Sequence, residues 1–317
     1  MVAAKLSERD FIDQFETIGP SRLARETGQD PSVVHSRRRR LEQKLGRPIN
    51  PPDSRNSEMF QAEEFPGRLS LDVPNGAVII GSDLHAWPGE LPTAFRAMLK
   101  LTKDLKPRAV IMNGDVIDGA SISRHPPLGW EKRPTLIDEL EAAQHALMKL
   151  EQAAGRGTPL YWPAGNHDAR FSTRLATVAP EFAKVHGTKL KDHFGERWQP
   201  CWSVWINNDV VVKHRARGGI HASYNSTLHG GTSLVHGHLH SLKVTPFSDY
   251  RGRRYGVDCG MLAESYGPQF GYLEDGTRNW SSGFAVLTFK DGKLLWPELV
   301  AVIAPGEVEF RGKVISV

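Results

Sequence analysis

Between residues 7 and 45 the apolar positions recur at helical spacing. Phe11, Ile12 and Phe15 form a stripe behind Ser7, a residue suited to capping a helix N-terminus, so 7–17 is predicted to be helical. Gly19–Pro20 breaks that helix, and 21–27 can form a second, short one with Leu23 and Ala24 inward. Gly28 ends it, and Asp30–Pro31 opens a third with proline in its first turn. Over 48–66 proline and polar residues dominate and no period survives, as in a linker. From Leu69 the pattern changes to strands alternating with helices. Segments 69–73 and 77–80 read as strands flanking a Pro–Asn–Gly turn. Segment 91–105 reads as helix, 109–112 as strand, 136–152 as helix and 160–162 as strand. This βαβαβ run predicts a parallel α/β core. After Trp202 strands dominate, ending in hairpins at 290–293 and 310–313. The expected organisation is a small all-α domain over 1–50, a linker over 51–66 and an α/β domain over 67–317.

Composition narrows the class. Of the 317 residues, 39% are hydrophobic and 24% charged, which fits a globular chain. No apolar run approaches the roughly 18 residues of a membrane helix, and no signal-peptide stretch opens the chain. No membrane partner and a cytoplasmic location are therefore expected. Two cysteines, Cys201 and Cys259, exclude a disulfide scaffold and a zinc ribbon. The net charge of +4 is uneven: residues 1–50 hold ten Lys/Arg against seven Asp/Glu, and the remainder is nearly neutral. Arg37, Arg38, Arg39 and Arg40 are consecutive, so they point all round a helix axis and some must face solvent or phosphate. Ala24, Gly28 and Val34 have the spacing of a crossing residue, a turn glycine and an apolar anchor, and residues 20–44 resemble a helix-turn-helix DNA-binding motif. The competing reading is a helical appendage with a solvated basic face.

Histidine is the outlier among the titratable residues. Six of the 13 (His214, His221, His229, His236, His238, His240) fall within 27 residues. The predicted strands end in similar residues: Asp83-Leu-His85, Gly114-Asp115 with Asp118, then Gly165-Asn166-His167-Asp168. Later come His214 after a valine run, and Gly237-His238-Leu-His240. The carboxyl ends of strands, beside tight glycine turns, are where α/β sheets place their sites. Carboxylate, amide and imidazole donors suit a Mn²⁺, Fe or Zn²⁺ site of oxygen and nitrogen ligands rather than a thiolate site.

These five blocks, in this order, closely resemble the calcineurin-like metallophosphoesterase superfamily over residues 77–243. The resemblance implies an α/β fold, a two-sheet αββα sandwich, carrying two divalent metal ions, Mn²⁺ foremost with Fe or Zn²⁺ as alternatives. It implies that Asp83, His85 and His240 hold one metal, that Asn166, His214 and His238 hold the other, and that Asp115 bridges them. Two such metals, about 3.5–4 Å apart, can clamp a phosphate and activate a hydroxide for in-line attack. His167 would act on the leaving oxygen or the developing charge, with Asp168 orienting it. Asp118 would either support a ligand histidine or merely shape a turn. In the family, glycine usually follows the lone histidine, whereas Arg215 follows His214, which raises His221 as a rival ligand. His229 and His236 read as packing or substrate-side residues.

The superfamily spans several phosphoester classes, so fold alone does not choose a substrate. Arg124, His125, Arg170, Arg215 and Arg217 follow the metal blocks and would grip a second phosphate or a polyanionic backbone. With the basic N-terminal segment, they point to a phosphodiesterase or end-trimming enzyme acting on DNA or another nucleic acid. A small-molecule phosphoesterase or protein phosphatase is the alternative, and a non-catalytic DNA-binding protein the least favoured. The architecture also resembles DNA-targeted hydrolases from phage and mobile-element genomes.

Overall fold

The structure, a computed structural model, describes residues 6–47, 49, 66–182 and 185–317. The expected linker, 51–66, lies outside the described residues apart from Pro66. The chain divides into two compact units, Met1–Gly67 and Arg68–Val317.

In the first unit, α1 spans Glu8–Thr27 and α2 spans Pro31–Leu45. Ser7 caps α1, its hydroxyl oxygen accepting the Asp10 amide. Within α1, Gly19 has φ 75° and ψ 166°, so the chain breaks there before Pro20 and two helical segments result. Gly28 ends α1 in the left-handed conformation, and Asp30 caps α2 with Pro31 in its first turn. Phe11, Phe15, Leu23, Ala24, Val34, Leu41 and Ile49 form one buried cluster. Arg37 and Arg38 do not stand free. Arg37 lies over the Phe11 ring and donates to the Leu6 carbonyl, while Arg38 lies near Phe15 and pairs with Glu42. Arg39 and Arg40 are exposed.

The second unit opens with β1 (Leu69–Leu71), β2 (Gly76–Gly81), α3 (Thr93–Leu105), β3 (Ala109–Met112), α4 (Leu136–Ala154) and β4 (Leu160–Pro163). There follow α5 (Asp168–Val178), β5 (Trp198–Cys201), β6 (Val204–Ile206), β7 (Val210–Val212), α6 (Ala222–Gly230) and β8 (Ser233–His236). The antiparallel strands β9 (Leu242–Asp249) and β10 (Gly252–Cys259) come next. The chain closes through β11 (Gly283–Lys290), β12 (Lys293–Leu294), β13 (Glu298–Ala304), β14 (Glu307–Phe310) and β15 (Lys313–Ser316).

These strands build two sheets. One runs β15-β14-β13-β11-β2-β3-β4-β5, with β12 beside β11, and the other runs β1-β6-β7-β8-β10-β9. The parallel β2, β3 and β4 confirm the βαβαβ reading. Their continuous apolar runs follow from burial on both faces. Ile79, Val110 and Met112 pack toward α3 and α4, while Val78, Ile80, Ala109 and Ile111 pack toward the valines of β7 and β8 between the sheets. Helix α6 lies on the outer face of the second sheet, so closely that a Cβ on Gly256 would collide with the Ser223 carbonyl. The αββα sandwich is thus present. The strands flanking Pro74–Asn75–Gly76 do not pair, however: β1 pairs with β6 and β2 with β3 and β11, so that turn carries the chain between sheets.

Candidate metal centre

The loops after β2 and β3 run side by side, with the Asp83 amide donating to the Gly114 carbonyl and the His85 amide to the Asp115 carbonyl, both at 3.0 Å. The loop after β4 joins them: the His167 amide donates to Asp115 Oδ1 at 2.8 Å. The other sheet supplies His214 after β7, and His238 and His240 after β8. His240 Nε2 lies 3.1 Å from Asp83 Oδ1, and the His238 amide donates to Asp83 Oδ2 at 2.9 Å. The site therefore forms where strand ends of both sheets converge.

Three groupings of ligand atoms result: Asp83 with His85 and His240, Asp115 with His214 and His238, and His85 with Asp115 and His167. Asp115 is common to the last two, and His85 Nε2 stands 4.0 Å from Asp115 Oδ2. Several atoms fit a cation better than one another. His85 Nε2 lies 3.8 Å from Asp83 Oδ1, too far for a hydrogen bond. His214 Nε2, 3.1 Å from Asp115 Oδ2, is poorly aligned for one. With Asn166 Oδ1, these are buried polar atoms lacking hydrogen-bond partners among the described residues. Buried polar atoms are costly to orphan, so a converging set of them marks a ligand position. The outward ring nitrogens fix the tautomers: His85 Nδ1 is 2.9 Å from Asp118 Oδ1, and His214 Nδ1 is 2.7 Å from the Asn113 carbonyl. Each ring thereby presents Nε2 inward.

The backbone is bent to suit. Asp83, His85, Asp115, His238 and His240 all have φ between 42° and 70°, the left-handed region that non-glycine residues rarely occupy. Such strain persists where surrounding contacts over-determine it, and it concentrates at functional sites. The motif glycines make room. A Cβ on Gly165 would collide with the Asp115 carboxylate, and one on Gly237 with Ser82 and the Asp83 carboxylate.

The electrostatics follow from this crowding. Burial disfavours a charged His85, yet Asp118 and Asp83 outweigh it and raise the imidazole to about 10. For His214 burial is likewise overcome, by Asp115 and Asp83, and the ring is raised to about 9. Burial opposes ionisation of Asp83, Asp115 and Asp118 too, but the facing histidines hold all three carboxyls below the usual range. Carboxylates that draw protons onto two imidazoles also attract divalent cations, and a cation must displace those protons to bind.

One role differs from that expected, while Asp118 supports the proposed ligand His85 as one of the two expected readings had it. Asp168 makes no hydrogen bond to the His167 side chain. Its buried carboxylate accepts the amides of Gly165 (2.8 Å), Asp115 (3.0 Å) and Val116 (2.9 Å) and the Trp162 indole N–H (3.0 Å). It clamps the loops carrying Asp115 and Asn166 together. Besides holding His85, Asp118 is the residue that meets His167: His167 Nδ1 is 2.8 Å from the Asp118 carbonyl and 3.3 Å from its carboxylate. Arg170 donates to that carbonyl at 2.8 Å and approaches His167 Nε2 at 3.1 Å.

The remaining candidates scatter. His221 is exposed at the start of α6, outside every ligand grouping, so His214 is the histidine at the site. His236 packs against Ser223, and burial lowers it to about 4. His229 is exposed on α6. Arg124, Arg215 and Arg217 are exposed, while His125 and Arg170 line a cavity shared with His167. Sequence reasoning missed Glu139, whose buried carboxylate accepts the Gly119 and Ala120 amides and pins the loop bearing Asp118. The available signal was an acidic residue on the face of α4 that also carries Ala143, Ala146 and Leu150.

Residues 77–258 match the family described as Calcineurin-like phosphoesterase. The chain belongs to that family and is a phosphoesterase hydrolase of it. It is 29% identical over 241 residues to a "Gene 54 protein" of Mycobacterium phage L5, and 30% identical over 249 residues to its namesake in phage D29. Each match spans 70% of this chain and 92% of the phage protein. Similar solved structures include a zinc-complexed Vps29 from Entamoeba histolytica, with 13% identity, a TM-score of 0.39 and coverage of 76% and 98% of the two chains. Another is a dimetal phosphatase from Danio rerio, with 11% identity, a TM-score of 0.38 and coverage of 77% and 99%.

Proposed function

We propose that this chain is a dinuclear-metal phosphodiesterase that cleaves or trims DNA or another nucleic acid. The observation that carries the phosphoesterase centre is the pair of ligand groupings meeting at Asp115, with His85 Nε2, His214 Nε2 and Asn166 Oδ1 left without hydrogen-bond partners. Asp83, His85 and His240 would hold one cation and Asn166, His214 and His238 the other, with Asp115 between them. All donors are oxygen or nitrogen, a set suited to Mn²⁺ and also to Fe or Zn²⁺. Bound cations supply Lewis-acid stabilisation of the phosphoryl group and activation of water.

The chain's own residues do the rest. Asp168 and Glu139 hold the ligand loops in register. His167 stands beside the ligands, its Nδ1–H donated to the Asp118 carbonyl and its Nε2 toward Arg170. Protonated at Nε2, this ring would give its proton to the leaving oxygen, and the Asp118 carboxylate at 3.3 Å would stabilise the imidazolium meanwhile. For Nε2 to carry that proton, Arg170 would first turn from His167 toward a phosphate oxygen.

The nucleic-acid assignment draws support from the basic helical unit, where the exposed Arg39 and Arg40 are suited to phosphate contacts and Arg37 and Arg38 are occupied in packing. A substrate panel with Mn²⁺ tests it: p-nitrophenyl phosphate, bis-p-nitrophenyl phosphate, and end-labelled single- and double-stranded DNA. Hydrolysis of the diester and of DNA is expected. Changing Arg39 and Arg40 together to Gln should weaken DNA binding and flatten its salt dependence by up to about 0.9 per lost contact. Hydrolysis of the monoester alone, with no DNA binding, would instead mark a small-molecule phosphatase.

A further inference from the structure

A cavity of about 520 Å³ opens directly beside His167, Arg170 and Asp118. It is far larger than a phosphate requires and falls in the range of sites that enclose a whole organic ligand. Two aromatic residues from separate segments line it, the half-buried Trp87 after β2 and the exposed Tyr272 in the short 3-10 turn Pro268–Leu273 before β11. Arg133 is no free cation there. Its guanidinium donates to the carbonyls of Ala120, His125 and Pro126 and pairs with Glu131, fastening the loop that forms one wall. The exposed Lys132 and His125 also line it, as does Arg170, which is held by the Asp118 carbonyl and faces His167.

We propose that this cavity is a nucleobase pocket, in which Trp87 and Tyr272 offer stacking surfaces to the base attached on the His167 side of the scissile phosphate. This inference deepens the nucleic-acid reading above and rests on it. Position sets the occupant's attachment: a group lying against His167 belongs to the leaving side, because that ring is the one placed to protonate the leaving oxygen. Chemistry sets its class. Aromatic side chains bind bases through their π-faces, which every base possesses, so the pocket accepts unpaired bases with little sequence preference. His125 and Lys132 would then meet the next phosphate along the strand. A base must leave its duplex stack to enter, so strand ends and single strands are the preferred substrates.

The test compares binding of thymidine 5′-monophosphate and deoxyribose 5-phosphate to the full-length, Mn²⁺-loaded protein by calorimetric titration. The base should tighten binding about 10- to 100-fold. Trp87→Ala and Tyr272→Ala should each remove most of that ratio, with metal content and Tm measured to confirm intact folding, and Trp87→Phe should restore it. Equal binding of the two probes to the native protein would overturn the proposal, as would a ratio that survives both alanine variants. If DNA is hydrolysed but no base-dependent ratio appears, the pocket fails and the nucleic-acid reading stands. If the ratio is present but no DNA is hydrolysed, the pocket stands as a mononucleotide site and that reading fails.

Discussion

Asp168→Asn separates two accounts of one residue. The carboxylate is buried and both oxygens accept: Oδ2 takes the Gly165 and Asp115 amides and the Trp162 indole, and Oδ1 takes the Val116 amide and, at 3.4 Å, the Ile117 amide. The amide can keep its oxygen at the Oδ2 position, which leaves the Val116 N–H, and the more distant Ile117 N–H, facing an NH₂ group; the short Val116 bond dominates the cost. Losing that charge-assisted bond costs about 1.5–3 kcal/mol, and an unsatisfied buried donor about 1–3 kcal/mol. The three surviving bonds also weaken, since their acceptor is no longer ionised. An opposing gain exists: burial and the neighbouring Asp115 raise the Asp168 carboxyl, so neutralising it relieves a real cost. The net expectation is a loss of about 2–4 kcal/mol, which for a domain of this size lowers Tm by about 5–15 °C. Metal content should fall with it, because the clamp positions the loops bearing Asp115 and Asn166. Thermal unfolding, metal analysis and turnover of bis-p-nitrophenyl phosphate, measured on one preparation, decide the matter. A variant with stability within about 0.5 kcal/mol of native and full metal content, yet turnover reduced 100-fold, would refute the clamp and return Asp168 to the task of orienting His167.

Asp115→Asn should lose metal from both positions together with turnover, and two ions per chain with near-normal activity would contradict the shared-carboxylate assignment. His167→Ala should retain its metals while turnover falls about 10²–10⁴-fold, less for nitrophenyl than for alkyl leaving groups. Loss of metal would show that His167 is itself a ligand. In chelator, His85 and His214 hold protons up to about 10 and about 9, well above the roughly 6.5 of an unfolded chain. Their contribution is therefore complete below pH 6.5 and disappears as pH rises through 9–10, so the Tm of the metal-free protein should fall across that window. Metal uptake at pH 7 should release protons; uptake without release, or a metal-free Tm that climbs above pH 7, would count against these assignments.

The chemistry-bearing loops were legible because their residue types and order match the ligand set proposed for them, and the doubly buried strands because their apolar runs have no polar face. Orientation was not legible. Asp118 and Asp168 both sit within a few residues of proposed ligands, and spacing alone does not say which one meets His167. The pairing of β1 with β6 was hidden for a similar reason, since a Pro–Asn–Gly turn is compatible with a hairpin and with a crossing between sheets. Four adjacent arginines look equivalent in a sequence, yet the rings of Phe11 and Phe15 claim two of them. Glu139 shows the reverse case, a helix residue whose partners at Gly119 and Ala120 lie across a long loop.

The convergence of the two sheets at Asp83 and Asp115 has a kinetic consequence. Asp83 meets His240 across 157 residues of chain, and the Asn113 carbonyl meets His214 across 101. Closing loops of that length precedes any reward from the contacts they bring together. A chain whose sheets have not yet docked holds at most a fraction of the ligands, so a cation finds its full site only after the rate-limiting barrier. Divalent metal should therefore slow unfolding steeply while leaving the refolding rate almost unchanged. A stopped-flow chevron in which Mn²⁺ displaces the unfolding limb alone would record that order of events, and acceleration of refolding would place the assembly of the centre before the barrier.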